Sequence, residues 1–332
     1  MNKSPRLVAL ETLYSIFYDG SYSNIALDKA LSDIKENKAF ISALVYGVTE
    51  KKITLDYFID KYAQGRIKPK VRIVLWLGAY QLLFMDKVPS SASINESVKL
   101  VKEIKQDYYS KLVNAVLHKI DNDRQIPDDL SVKYSVPENL INMWKKQYGE
   151  DVLNEFLPCI NDKPPLFAIP NKKFVNSDEL LYELECDGIL GEAYDEFVLI
   201  ENANDLTDSK AFKNGLFYIE DLSSFNCANA LDALGDDLVL DMCSAPGGKA
   251  FTISQSMNNS GKIYCYDLHE HRLNLIKSSA KRLSIDNIYT DVNDATVYNE
   301  NIPKADKILC DVPCSGFGII RRKPEIRYKD LD

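Results

Sequence analysis

The chain has 332 residues, 45% of them hydrophobic and 27% charged, with seven cysteines and a net charge of −9. Those are ordinary globular values at a length that allows two domains or more. The odd cysteine count, with no Cys-x-x-Cys, argues against a disulfide framework or a zinc knuckle and predicts reduced thiols in a cytoplasm. Charge is uneven: residues 1–125 hold 19 Lys and Arg against 14 Asp and Glu, while the remainder holds 21 against 35. A basic front on an acidic protein fits a module that faces nucleic acid. The start, Met-Asn-Lys-Ser-Pro-Arg-Leu-Val, lacks the apolar stretch of a signal peptide. The most apolar run, Val71 to Met85, is too short to span a bilayer and holds Arg72, Gly78 and Gln81. A soluble cytoplasmic protein without a membrane partner or a metal is expected.

Residues 4–122 predict an all-helical region. Ser4-Pro5 supplies an N-cap and a first-turn proline. Leu7, Leu10, Leu13, Tyr14 and Phe17 then recur at helical spacing until Gly20. A second helix starts at Ser23 or Asn24. A third covers Phe40 to Val48, and a fourth Leu55 to Tyr62. From Pro69 the run Val71 to Phe84 is apolar on nearly every face, which places it in the middle of a bundle. Helices near 90–104 and 108–121 close the set.

Residues 122–137 are rich in Asp, Asn and Pro and predict a linker. Pro137 opens a helix that runs to Tyr148 and stops at Gly149. After Pro164-Pro165 come short strand-like runs at Phe167–Ile169, Phe197–Ile200 and Leu216–Ile219. From 238 strands and helices alternate. Leu238–Asp241 is a short buried strand, followed by a turn with Pro246, Gly247 and Gly248 and a helix from Lys249. Ile263–Tyr266 ends in Asp267, a helix runs from Glu270 to Leu283, and Ile288–Thr290 precedes an acidic turn to Asp294. Lys307–Leu309 leads into Cys310-Asp311. That order is a parallel nucleotide-binding unit. It lacks both the G-x-G-x-x-G of dinucleotide enzymes and a P-loop.

The string from Asp241 through Cys243, Ser244, Ala245, Pro246, Gly247, Gly248 and Lys249 resembles the S-adenosylmethionine loop of the RNA cytosine-carbon-5 methyltransferases, the RsmB/NOP group. The front resembles the NusB-like RNA-binding domain that leads the RsmB proteins. Its best stretches are Gly78 to Leu83, Val88-Pro89 with Ala92 and Asn95 to Val98, and Leu112 to Leu117. Glu220-Asp221-Leu222-Ser223-Ser224 is similar to the family's Q-D-x-S-S, with Glu for Gln. Another departure is Phe167-Ala168-Ile169-Pro170, where the family usually carries an arginine. The resemblance implies a multidomain fold: an all-α NusB-like bundle over 1–125, a linker and small α+β subdomain over 126–225, and an incomplete Rossmann-like α/β methyltransferase domain over 226–332.

What the resemblance implies for the site follows residue by residue. Cys243 to Lys249 would wrap the methionyl and ribose portions of S-adenosylmethionine. Asp267, at the second strand end and 20 residues past Gly247, would take the ribose. Asp294 would serve the adenine side, and Asp311 would border the cofactor and face ring nitrogen 3 of the target base. Cytosine carbon 5 attacks a methyl group only after a thiolate adds to carbon 6. In this family that thiol stands in a Thr-Cys motif, and the Pro-Cys cysteine, here Cys314, assists release. Arg321, Arg322 and Lys323 would hold phosphates. The expected partner is small-subunit rRNA, and a monomer is expected. No Thr-Cys pair occurs in the 332 residues. The chain is therefore expected to stop short of the family's C-terminal strands, leaving an open sheet edge. Two alternatives stay open: a non-catalytic RNA- or S-adenosylmethionine-binding remnant, and a nicotinamide-type Rossmann oxidoreductase.

Overall fold

A computed structural model describes residues 3–202 and 206–329. Two compact units emerge. One takes the chain up to Lys163 and recovers it from Ser315; the other is Pro164–Cys314.

The first unit is helical. Its elements are α1 (Pro5–Tyr18), α2 (Ser23–Leu31), α3 (Lys38–Tyr62), α4 (Pro69–Phe84), α5 (Ser90–Glu103), α6 (Ser110–Asn122), α7 (Leu130–Tyr134), α8 (Glu138–Tyr148) and α9 (Glu150–Cys159). Ser4 caps α1 by accepting from the Leu7 amide at 3.2 Å. α4 buries residues on all sides, from Val71 through Leu82, and is the centre of the bundle, as its unbroken apolar run predicts. Gly78 lets it approach α6: a Cβ there would lie 2.6 Å from the Leu117 side chain.

Three expectations change here. The third and fourth helices are one 25-residue helix, α3, because Thr49 to Thr54 contains no Gly or Pro to interrupt it. The 122–137 stretch contains α7, which is docked rather than linking: Thr54 Oγ1 donates to the Val132 carbonyl at 2.5 Å and the Ile53 amide to Ser135 Oγ at 2.9 Å. α9 was not expected; it buries Leu153 and Leu157 despite Pro158 near its end.

The returning segment is anchored deeply. Arg327 is 1% exposed, and its Nη1 donates to the carbonyls of Glu50 and Ser135 and to Asn161 Oδ1 at 3.2, 3.1 and 3.0 Å. Tyr328 Oη donates to the Thr49 carbonyl at 2.8 Å, and Glu325 accepts from the Ser23 amide at 3.0 Å. Burial pushes the Tyr328 phenol up to about 12 and the Arg327 guanidinium down.

The second unit carries two four-stranded sheets. The first, with order β2-β3-β1-β4, is antiparallel. It comprises β1 (Leu166–Pro170), β2 (Gly191–Ala193), β3 (Val198–Ile200) and β4 (Phe217–Ile219), with α10 (Ser177–Cys186) and α11 (Lys210–Lys213). α10 opens on a capping box between Asn176 and Glu179. The second sheet is parallel, with order β7-β6-β5-β8. Its elements are α12 (Leu222–Asn229), β5 (Leu238–Asp241), α13 (Gly248–Ser256), β6 (Lys262–Asp267), α14 (Glu270–Leu283), β7 (Ile288–Val292) and β8 (Lys307–Leu309). One apolar core joins the two sheets, with Ile169 and Tyr218 packed among Val239, Phe251, Ile263 and Leu283. Arg282 stitches them further, donating to the Phe212 and Phe217 carbonyls at 2.7 and 2.9 Å.

Replacing Arg327 with Leu orphans three buried acceptors. The expected loss is roughly 2–4 kcal/mol in urea unfolding of the helical unit. A change below about 0.5 kcal/mol would show that the segment is not anchored there.

Candidate functional site

The chain builds the parallel sheet outward from β5 through β6 to β7, then returns to the other side of β5 with β8. The loops leaving β5 and β8 therefore part, and a crevice opens between them at the strands' C-terminal ends. This switch point is where open α/β sheets take their ligands. Here the crevice is about 200 Å³, lined by Glu220, Asp221, Asp241, Cys243 to Pro246, Gly248, Lys249 and Asp311.

The loop after β5 is shaped by local constraints. The Ser244 amide donates to the Tyr266 carbonyl at 2.9 Å, which pins the loop to β6. The Gly247 amide closes a turn on the Ser244 carbonyl at 2.8 Å. Gly247 has φ +109°, and a Cβ would sit 2.7 Å from the Phe251 ring. Only glycine takes that backbone without strain. α13 begins immediately afterwards without a side-chain cap, and its first residues, Gly248 and Lys249, line the crevice.

Charge in the crevice is mostly negative. Lys249 Nζ pairs with Asp311 Oδ2 at 2.7 Å. Asp241 is 1% exposed, and no hydrogen bond of good geometry reaches either carboxylate oxygen, although the Ser244 hydroxyl and the Cys243 amide lie near enough to favour its ionised form. Burial pushes the Asp241 carboxyl up to about 6 and the Glu220 carboxyl up to about 7. Burial opposes charge on Lys249 too, yet the Asp311 bond and the neighbouring carboxylates raise it above the ordinary lysine value. Burial raises the Cys243 thiol, followed by the influence of Cys310 and Asp241, so Cys243 is held protonated.

The other expected residues fall as follows. Asp267 ends β6 and is 3% exposed. Both its oxygens meet Arg272 Nη1, at 2.9 and 3.1 Å, and Arg272 Nη2 also holds the Ala245 carbonyl at 2.9 Å. Arg272 thus couples Asp267 to the glycine loop. Asp294 is exposed, and its Oδ1 accepts from the Thr296 amide and hydroxyl at 2.9 and 2.7 Å, which holds its carboxyl below the usual value. It borders a second cleft of about 560 Å³ with Leu268, Val292, Asn293, Val297 and Tyr298. Cys314 is exposed on the loop after β8, outside the lining of the crevice. Arg321, Arg322 and Lys323 belong to the helical unit, where all three are half-buried. Arg321 donates to the Asp162 and Lys163 carbonyls at 3.1 and 2.8 Å, and Lys323 lies 4.8 Å over the Tyr22 ring.

Sequence reasoning noted Asp241 as a strand-end acid and Glu220 as a departure, and gave neither a place in the site. It missed Arg272 altogether. The signal for Arg272 was its place in the first turn of the helix that follows the Asp267 strand.

The relatives agree with this architecture. The NusB family matches residues 3–122, and the 16S rRNA methyltransferase RsmB/F family matches residues 228–332. The "Probable ribosomal RNA small subunit methyltransferase B" of Bacillus subtilis (strain 168) is 33% identical, over 98% of this chain and 76% of its own length. The chain belongs to the RsmB/F family of rRNA methyltransferases. The ribosomal RNA small subunit methyltransferase B of Shewanella oneidensis is 28% identical over 97% of this chain and 77% of its own length. Among solved structures, the crystal structure of PH0851 superposes with a TM-score of 0.76 at 25% identity, over all of this chain and 80% of that one. Among the described residues no helix is long and apolar enough to cross a membrane, and no group of three or more His, Cys, Asp or Glu is placed to hold a metal ion.

Two outcomes are expected. Gly247→Ala forces an L-residue into φ +109° against Phe251, and should cost about 1–3 kcal/mol in urea unfolding. The pH dependence follows from Glu220 and Asp241, whose folded values lie above their unfolded ones. Their contribution is full below about pH 4 and is lost as pH rises through about 6 and then 7. Urea midpoints should therefore fall between pH 5 and pH 8, and Glu220→Gln should remove the upper part of that fall. Superimposable profiles would contradict the assignment.

Proposed function

We propose that this chain transfers a methyl group from S-adenosylmethionine to carbon 5 of a cytosine in 16S rRNA. The observation that carries the reading is the buried, weakly hydrogen-bonded Asp241 carboxylate in a switch-point crevice beside a glycine loop and the Lys249–Asp311 pair. A methionyl ammonium would supply Asp241 with the well-aligned donors that Ser244 and the Cys243 amide do not. The free amides of α13 suit the methionyl carboxylate. Asp267, steadied by Arg272, is a strand-end acid of the kind that takes ribose hydroxyls. Leu268, Val292 and Tyr298 beside Asp294 offer an apolar wall for adenine.

When bound, S-adenosylmethionine supplies an electrophilic methyl group. The protein's part is to activate and hold the base. Asp311, beside Lys249, is proposed to face ring nitrogen 3 and to hold there the proton that balances the electrons displaced when a thiolate adds to carbon 6. Cys314 is proposed as the release thiol. A second reading is a non-catalytic RNA- and S-adenosylmethionine-binding protein, which a turnover assay distinguishes from the first. Residues 1–125 are proposed as the RNA-binding domain, 126–225 as linker and subdomain, and 226–332 as the methyltransferase domain of a soluble, cytoplasmic monomer. Arg321, Arg322 and Lys323 are proposed as phosphate contacts.

The helical unit supports an RNA partner. The loop 63–68 is held at both ends beside the segments that flank α6: Lys61 pairs with Asp123 at 2.6 Å, and Lys68 Nζ donates to Gln106 Oε1 at 3.0 Å. Arg66, Lys68, Lys111 and Lys119 are exposed on this loop and helix, and none makes an ion pair among the described residues. Tyr108 beside them is 91% exposed. Such a face suits a phosphate chain with a stacked base.

Incubating the chain with methyl-labelled S-adenosylmethionine and small-subunit rRNA separates the two readings. The enzyme reading expects 5-methylcytidine in the digested RNA, and Asp311→Asn should abolish it while retaining cofactor binding. Binding of both ligands without turnover supports the non-catalytic reading, and no cofactor binding overturns both. Arg66→Ala with Lys68→Ala should lower the slope of log K against log salt by about 1.4, at about 0.7 per single-strand phosphate contact. An unchanged slope would remove that face from the RNA site.

A further inference from the structure

Glu220 stands where the resemblance leads one to expect glutamine, directly after β4 and 7% exposed. One carboxylate oxygen is fixed: Oε2 accepts from Thr252 Oγ1 of α13 at 2.5 Å. That hydroxyl lies 2.8 Å from Tyr218 Oη, which accepts from Gln255 Nε2 at 3.1 Å. The other oxygen faces the glycine loop. A Cβ on Gly248 would meet Oε1 at 2.8 Å. Glu220 therefore sits against the first turn of α13, inside the crevice lining, beside the amides that suit an anionic group.

We propose that Glu220 is a positioning residue that holds the crevice competent for the amino-acid end of S-adenosylmethionine only while its carboxyl is protonated. The inference rests on the cofactor reading above. A neutral carboxylic acid has the shape of a glutamine amide and, like it, offers both a donor and an acceptor. The ionised form offers acceptors alone. It puts a like charge beside the methionyl carboxylate and competes with Asp311 for Lys249. The charged or titratable groups facing Glu220 are Lys249 on α13, Asp241 at the end of β5, neighbouring Asp221, and Tyr218 on β4. Burial moves the Tyr218 phenol far above the working range, so it stays neutral. Asp241 titrates about one unit below Glu220 and in the opposite sense for binding, because its ionised form is the one that accepts the ammonium. Asp241 and the ligand's own α-ammonium also titrate near this range, so the Glu220 contribution is the part of the pH dependence that Glu220→Gln removes.

The test is isothermal titration calorimetry of the whole chain with S-adenosylmethionine and with S-adenosylhomocysteine from pH 6 to 9. Wild type should lose about tenfold in affinity across the upper range. Glu220→Gln should lose several-fold less than wild type over the same range, keeping only the pH dependence that Asp241 and the ligand's own ammonium contribute. Thr252→Val removes a bond that favours the ionised form, so its affinity loss should shift to higher pH. Parallel profiles for wild type and Glu220→Gln, or weak binding by Glu220→Gln at every pH, would overturn the proposal and leave the cofactor reading intact. No binding by wild type at any pH would overturn both.

Discussion

The second unit is arranged around a buried carboxylate that the protein answers only weakly, through the Ser244 hydroxyl, the Cys243 amide and the nearby Lys249. Asp241 ends a strand paired on both sides, so its side chain is carried into the centre of the parallel sheet's C-terminal edge. Burying an unpaired carboxylate is costly, and the upward push on its proton affinity is the mark of that cost. The surroundings are built to tolerate it. Lys249 lies near but is committed to Asp311, and Gly247 and Gly248 bring the loop backbone close without side chains. A site that stores an unmet acceptor is prepared for a cationic ligand group.

Much of this was legible in the sequence because it depends on local rules. The alternation of strands and helices after 238 predicts the parallel sheet, and the succession Asp241, Asp267, Asp294, Asp311 predicts which strand ends carry acids. The all-round apolar run at 71–84 predicts the buried central helix. Each of these is written in consecutive residues, either as a periodicity or as a turn with proline and glycine.

The rest was not legible because it depends on groups far apart in the chain. The extent of α3 depends on whether a Lys-rich stretch without breakers continues a helix, which propensity leaves open and packing decides. The 122–137 stretch has linker composition, yet Thr54 and Ile53 dock it. Arg272 is an ordinary helix-surface cation until the fold sets it across Asp267 and Ala245. Arg321 reads as a phosphate contact in a basic run, and its hydrogen bonds to two backbone carbonyls some 160 residues earlier are invisible there. Glu220 shows as a substitution in sequence, and only its burial beside Thr252 and Gly248 turns the change into chemistry.

The most direct test of the account is a crystal structure of this chain grown with S-adenosylhomocysteine. The account predicts the ligand between the β5 and β8 loops, its ammonium on Asp241 and Ser244 and its ribose hydroxyls on Asp267. Ligand bound elsewhere, or an Asp241 carboxylate still without a partner in the occupied structure, would contradict it.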